Sequence, residues 1–105
     1  DEMIIAPNLS ARKKLMLETS AAIAVMAGGI GTIDEATEVL ELKKDGAHNK
    51  PIVFLNTENF FEGLLLQNER AVQDGFQTKR ITDLACFANT PEEAIAYIDR
   101  ELKKL

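Results

Sequence analysis

The run Ala21-Ala22-Ile23-Ala24-Val25-Met26 leads through Ala27 into Gly28-Gly29-Ile30-Gly31-Thr32-Ile33-Asp34-Glu35, and a helical pattern follows to about Lys44. A short apolar strand entering a helix through three glycines constrains this chain more than any other feature. Glycine lets a backbone pass close to a ligand. The first N–H groups of a helix lack an intrahelical acceptor, and the helix dipole is positive there. Such a turn favours an anion, most often phosphate. Two better-known glycine motifs are excluded. The phosphate loop of ATPases needs a Gly-Lys-Ser/Thr ending, which is absent. A dinucleotide fingerprint begun at Gly29 would need a glycine where Asp34 stands. A tight strand-to-helix turn with no ligand is the plainer alternative.

The flanking chain repeats the same strand-and-helix unit. Met3–Ala6 reads as a short extended segment ended by Pro7. Asn8 or Ser10 caps a helix to about Glu18, which carries the basic cluster Arg12, Lys13 and Lys14. Ala21–Met26 is the second strand, apolar throughout as a strand covered on both faces should be. The helix from Thr32 to Lys44 turns Ile33, Ala36, Val39 and Leu40 to the core, and Gly46 supplies its left-handed stop. Pro51–Leu55 is the third strand, and a helix runs from about Phe60 to Gln73. Leu84–Ala88 is the fourth strand. Thr90-Pro91-Glu92-Glu93 then opens a last helix with the stripe Ala94, Ile95, Ile98 and Leu102. Alternating strands and helices predict an α/β fold: a three-layer αβα arrangement around a parallel sheet, with ligands beyond the C-terminal strand ends.

Composition narrows the function. At 105 residues the chain is one domain, residues 1–105. A net charge of -5 argues against a general nucleic-acid binder. No apolar run approaches the ~20 residues of a membrane span, and no signal peptide is read. The single cysteine, Cys86, sits in an apolar run, reads as core, and suits a reducing cytoplasm. With one Cys and one His, no zinc site is expected. The start at Asp1-Glu2, without methionine, suggests a chain entered midway.

Two stretches gain meaning when read together. Arg12-Lys13-Lys14-Leu15-Met16 fits R-K-x-x-M, and Ala27–Glu35 fits P-G-G-x-G-T-x-x-E at every position except the first, where Ala27 replaces proline. This pair, close together and in this order, resembles the LOG ("lonely guy") family, whose members are phosphoribohydrolases that release cytokinin bases from nucleoside 5'-monophosphates. Many relatives bear the name lysine decarboxylase. Gly46–Asn56 also looks like the family's segment after the glycine-turn helix. The resemblance covers nearly the whole chain, but only the C-terminal half to two-thirds of a typical member. It implies a Rossmann-like domain lacking its first βα unit or units. It also implies a nucleoside 5'-monophosphate substrate, either a cytokinin riboside monophosphate or AMP, with no cofactor and no metal. Arg12 and Glu35 would be the catalytic pair, and Gly28, Gly29, Gly31 and Thr32 would hold the 5'-phosphate. It implies a homodimer too, to which Phe60, Phe61, Leu64, Leu65 and Leu66 add more apolar positions than one buried stripe needs.

The residues keep duller readings beside these. Thr32 and Glu35 stand at the spacing of a capping box. The Arg12–Lys14 cluster fits a solvated helix face. Asp34 is a first-turn carboxylate favoured by the helix dipole, and His48 lies in a polar loop; neither is assigned chemistry. A nucleotide-binding or cofactor-carrier module without hydrolysis is the alternative function.

Overall fold

A computed structural model describes residues 20–104. The expected first strand (Met3–Ala6), the helix after it and the Arg12–Lys14 cluster lie outside the described residues. Three strands, β1 (Ile23–Val25), β2 (Ile52–Leu55) and β3 (Cys86–Ala88), form a parallel sheet in the order β1-β2-β3. Ile23 stands opposite Ile52, Val25 opposite Phe54, and Phe54 opposite Phe87. Helices α1 (Ile30–Lys44), α2 (Glu62–Gln73), the single turn α3 (Ile81–Leu84) and α4 (Pro91–Leu102) connect and follow the strands. This is the expected α/β architecture with helices on both faces of a parallel sheet.

Alternation along the strands sorts the core into two layers. Ile23, Val25, Ile52 and Phe54 face one side and pack with Ala36, Val39 and Leu40 of α1, with Phe61, and with Ile81 and Leu84 of α3. Phe54 stacks on Phe87 at 4.5 Å and meets Phe61 edge-on at 5.1 Å. Val53 and Ala88 face the other side with Ala94 of α4, bordered by Leu55, Cys86, Tyr97 and Ile98. Ile52, Val53 and Phe54 are fully buried, each contributing about 2 kcal/mol relative to an exposed side chain. The α1 stripe is as expected, whereas Cys86, expected in the core, is free and only partly buried at its border.

Four further expectations are corrected. β1 is not covered on both sides among the described residues, because Ala24, between the buried Ile23 and Val25, is exposed. The stretch read as a fourth strand from Leu84 is split: Leu84 closes α3, and the strand begins at Cys86. Ile95 is 68% exposed, and Tyr97 takes its place in the α4 stripe. Finally, α1 starts at Ile30 with Gly29 as its cap, two residues before Thr32.

Helix ends follow the local chemistry. Gly46 and Gly75 adopt φ of 85° and 82°, and the N–H groups beyond them reach back to Leu42 and Ala71, which closes α1 and α2 in the usual left-handed manner. The Thr90 hydroxyl accepts from Glu93 N–H at 3.1 Å, while Glu93 Oε2 accepts from Asn89 N–H, one residue before the cap. In α2, buried Asn68 accepts the N–H of Ile81 at 2.9 Å and so fixes the start of α3. Arg80 grips Glu69 through two bonds of 2.6 and 3.0 Å, and that guanidinium holds the Glu69 carboxyl below the ordinary carboxylate range.

Candidate active site

The site forms where β1 hands over to α1, at the C-terminal edge of the sheet. Gly29 is extended, with φ -96° and ψ -153°, and no side chain caps the helix that follows. The first helical bond runs from Ile33 N–H to the Gly29 carbonyl at 3.2 Å. The N–H groups of Ile30, Gly31 and Thr32 therefore precede the hydrogen-bonded ladder, at the positive end of a 15-residue helix. A Cβ added at Gly29 or Gly31 would meet nothing within 4 Å. Neither position has a positive φ among the described residues. The chain itself makes no steric demand for glycine there, so the space over the turn is open to a ligand.

Thr32 and Glu35 lie one helical turn apart on α1 and border a single cleft of about 230 Å³. Met26 and Ala27, at the end of β1, form its opposite lip with the strand edge. Apart from Thr32 and Glu35 the lining is apolar. No hydrogen bond or ion pair engages the Glu35 carboxylate or the Thr32 hydroxyl among the described residues. The capping-box reading of this pair is thus overturned: with Gly29 at the cap, Thr32 is already inside the first turn and Glu35 is in the second. A half-buried carboxylate without a partner, placed above free N–H groups, can hold a cationic centre or a water while the turn holds an anion.

Each site residue read from the sequence can now be located. Gly28, Gly29, Gly31, Thr32 and Glu35 are gathered at one turn, whereas Arg12 lies outside the described residues. Met26 was missed. It is 57% exposed although it follows a buried strand, and its position just past a strand's C-terminal end was the available signal. His48 is tied down far from the turn, in the loop leading to β2. Its Nδ1 accepts from Lys50 N–H at 3.0 Å, and its Nε2 lies 3.0 Å from the Val39 carbonyl, which makes it a neutral donor on that side. Among the described residues no three His, Cys, Asp or Glu side chains are grouped as a metal site would require.

A second cleft, of about 210 Å³, lies between α1 and α2. Its charged residues, Glu41 and Lys44, pair with each other, and its buried Asn68 is occupied with α3. It offers no unpaired group for chemistry comparable to Glu35.

Comparison with known proteins places the chain in a family. The family model described as "Possible lysine decarboxylase" matches residues 1–98. A cytokinin riboside 5'-monophosphate phosphoribohydrolase of Rhodococcoides fascians is 36% identical over 92% of this chain and 49% of its own length. A probable enzyme of the same name from Oryza sativa subsp. japonica is 31% identical, over 93% of this chain and 40% of its own. One from Arabidopsis thaliana is 29% identical over 93% of this chain and 46% of its own. The chain thus spans about half the length, or less, of the curated relatives it matches. The chain belongs to the family described as possible lysine decarboxylase, and with it to the LOG group that its two linked motifs resemble.

Proposed function

We propose that the protein hydrolyses the N-glycosidic bond of a nucleoside 5'-monophosphate, a cytokinin riboside monophosphate or AMP, giving free base and ribose 5-phosphate. The observation that carries this is an unpartnered Glu35 carboxylate that shares a cleft with Thr32, on the same helix whose start leaves the N–H groups of Ile30, Gly31 and Thr32 unpaired. Phosphate seats on the N–H groups of Ile30, Gly31 and Thr32. That anchors the ribose beside Glu35 and converts an encounter into a held geometry. Breaking the bond between C1' and the base nitrogen builds positive charge on the ribose. The Glu35 carboxylate stabilises that charge and orients or deprotonates the water that attacks C1'. The departing base takes a proton, and the water's hydroxyl stays on the sugar. Arg12, with its fork of donors, grips phosphate or ribose oxygens. The names of the relatives support this reaction and substrate class.

The test is to incubate the protein with AMP and with isopentenyl-AMP and to assay free base and ribose 5-phosphate. Release of both products is expected. Binding without cleavage would favour the nucleotide-binding or carrier module instead.

The reading includes a cytoplasmic homodimer that binds neither nucleic acid nor membrane. No helix among the described residues is long and apolar enough to cross a membrane. Cys86 is unbridged and partly buried. The α2 region supports the dimer. Phe61 is buried and Leu64 and Leu65 are half-buried, yet Phe60 and Leu66 remain 51% and 63% exposed. Light scattering at micromolar concentration should give twice the chain mass; a monomer mass would count against the dimer.

A further inference from the structure

The three glycines of the turn do different work. Gly29 and Gly31 have open space where a side chain would project, but Gly28 does not. A Cβ at Gly28 would stand 2.9 Å from Thr32 Cβ and 3.4 Å from its γ-methyl, and closer still to its hydroxyl oxygen. Thr32 is β-branched and helical, so few χ1 wells are open to it. In the well it occupies, its hydroxyl lies across Gly28, and no group among the described residues takes that hydroxyl as donor or acceptor. Gly28 also precedes the cap, so its N–H is outside the set that the helix start leaves unpaired.

We propose that Gly28 is a positioning residue: its missing side chain makes room for the Thr32 hydroxyl at the anion site, and Gly28 itself does not hold the phosphate. This departs from the role the family resemblance implies for Gly28, and it rests on the reading of the turn as a phosphate site. Thr32 then presents two donors to one anion, its N–H and its hydroxyl, and Gly28 sets the direction of the second.

A double-variant cycle tests this, with ribose 5-phosphate as the probe and calorimetry as the readout. Gly28→Ala and Thr32→Ala should each weaken binding by about 10-fold, the loss of one bond to a charged group. The double variant, made with Thr32→Gly so that the Thr32 Cβ leaves with its hydroxyl, should bind within about 2-fold of Thr32→Gly alone, because the hydroxyl that Gly28 serves is already gone. Multiplied losses in the double variant would overturn the proposal. If Gly28→Ala alone does not fold, the double variant with Thr32→Gly, which removes the Thr32 Cβ that would stand 2.9 Å away, should recover the fold, and its failure to do so would also overturn it. An independent readout needs no ligand. Three-bond couplings that report the Thr32 χ1 should shift between wild type and Gly28→Ala, and an unchanged χ1 would overturn the proposal. Should the wild type bind neither ribose 5-phosphate nor AMP, the phosphate reading fails, while the χ1 comparison still decides whether Gly28 sets the Thr32 rotamer.

Discussion

Gly31 separates the needs of folding from those of binding. It sits in the first turn of α1 with an ordinary helical neighbourhood and open space around its α-carbon. Alanine there removes backbone freedom from the unfolded chain and should stabilise the protein by roughly 0.5–1 kcal/mol. On the proposed phosphate reading, the same methyl would stand where the anion approaches. Gly31→Ala is therefore expected to raise the urea midpoint while weakening ribose 5-phosphate binding at least 10-fold. A variant that is more stable and binds normally would remove the ligand from the explanation of this glycine. Much of this site was legible in the residues themselves. Gly28, Gly29, Gly31, Thr32 and Glu35 were all marked by one motif. What the residues could not settle was the role of Glu35, since Thr-x-x-Glu is equally the spacing of a capping box. The capping-box alternative fell only when the helix was found to start at Ile30, which depends on backbone angles at Gly29 that no side chain announces.

At the scale of elements, apolar spacing located α1, whose buried Ala36, Val39 and Leu40 recur at helical intervals, and a continuous apolar run located the buried strand β2. It failed at Leu84 for a local reason. Ile81-Thr82-Asp83-Leu84 puts two buried residues three apart, one helical turn; Asp83 accepts the Arg80 N–H locally, and a second cue that starts the turn is distant in sequence. That second cue is Asn68, whose side chain supplies the acceptor for Ile81 N–H from across the α2–α3 loop. Asn68→Ala would leave that buried N–H unpaired and should cost about 1–3 kcal/mol, read as a lower urea midpoint with the slope unchanged. A loss under ~0.5 kcal/mol would show that water replaces the bond. Ile95 was misassigned because Tyr97 and Ile98 supply enough apolar surface to cover the far side of the sheet, leaving Ile95 in solvent.

At the scale of the molecule, the parallel sheet explains why the candidate site lies where it does. Every strand delivers its C-terminal end to one edge, and the turn that leaves β1 there is built from glycines rather than bulky residues. His48 and the α1–β2 loop occupy the opposite end, where their hydrogen bonds serve the connection and not a ligand. The resulting cleft has one carboxylate, one hydroxyl and an apolar wall, which suits a sugar phosphate joined to a flat base. The central claim is that Glu35 acts on the ribose and does not cap a helix. The decisive measurement is the turnover number of Glu35→Gln with AMP, alongside ribose 5-phosphate binding by the same protein. Since no bond within the described chain depends on the carboxylate, folding and phosphate binding should stay close to wild type. Turnover should fall by at least ~100-fold, the usual lower bound for loss of a general base. A Glu35→Gln enzyme that turns over AMP at a near-normal rate would contradict the account.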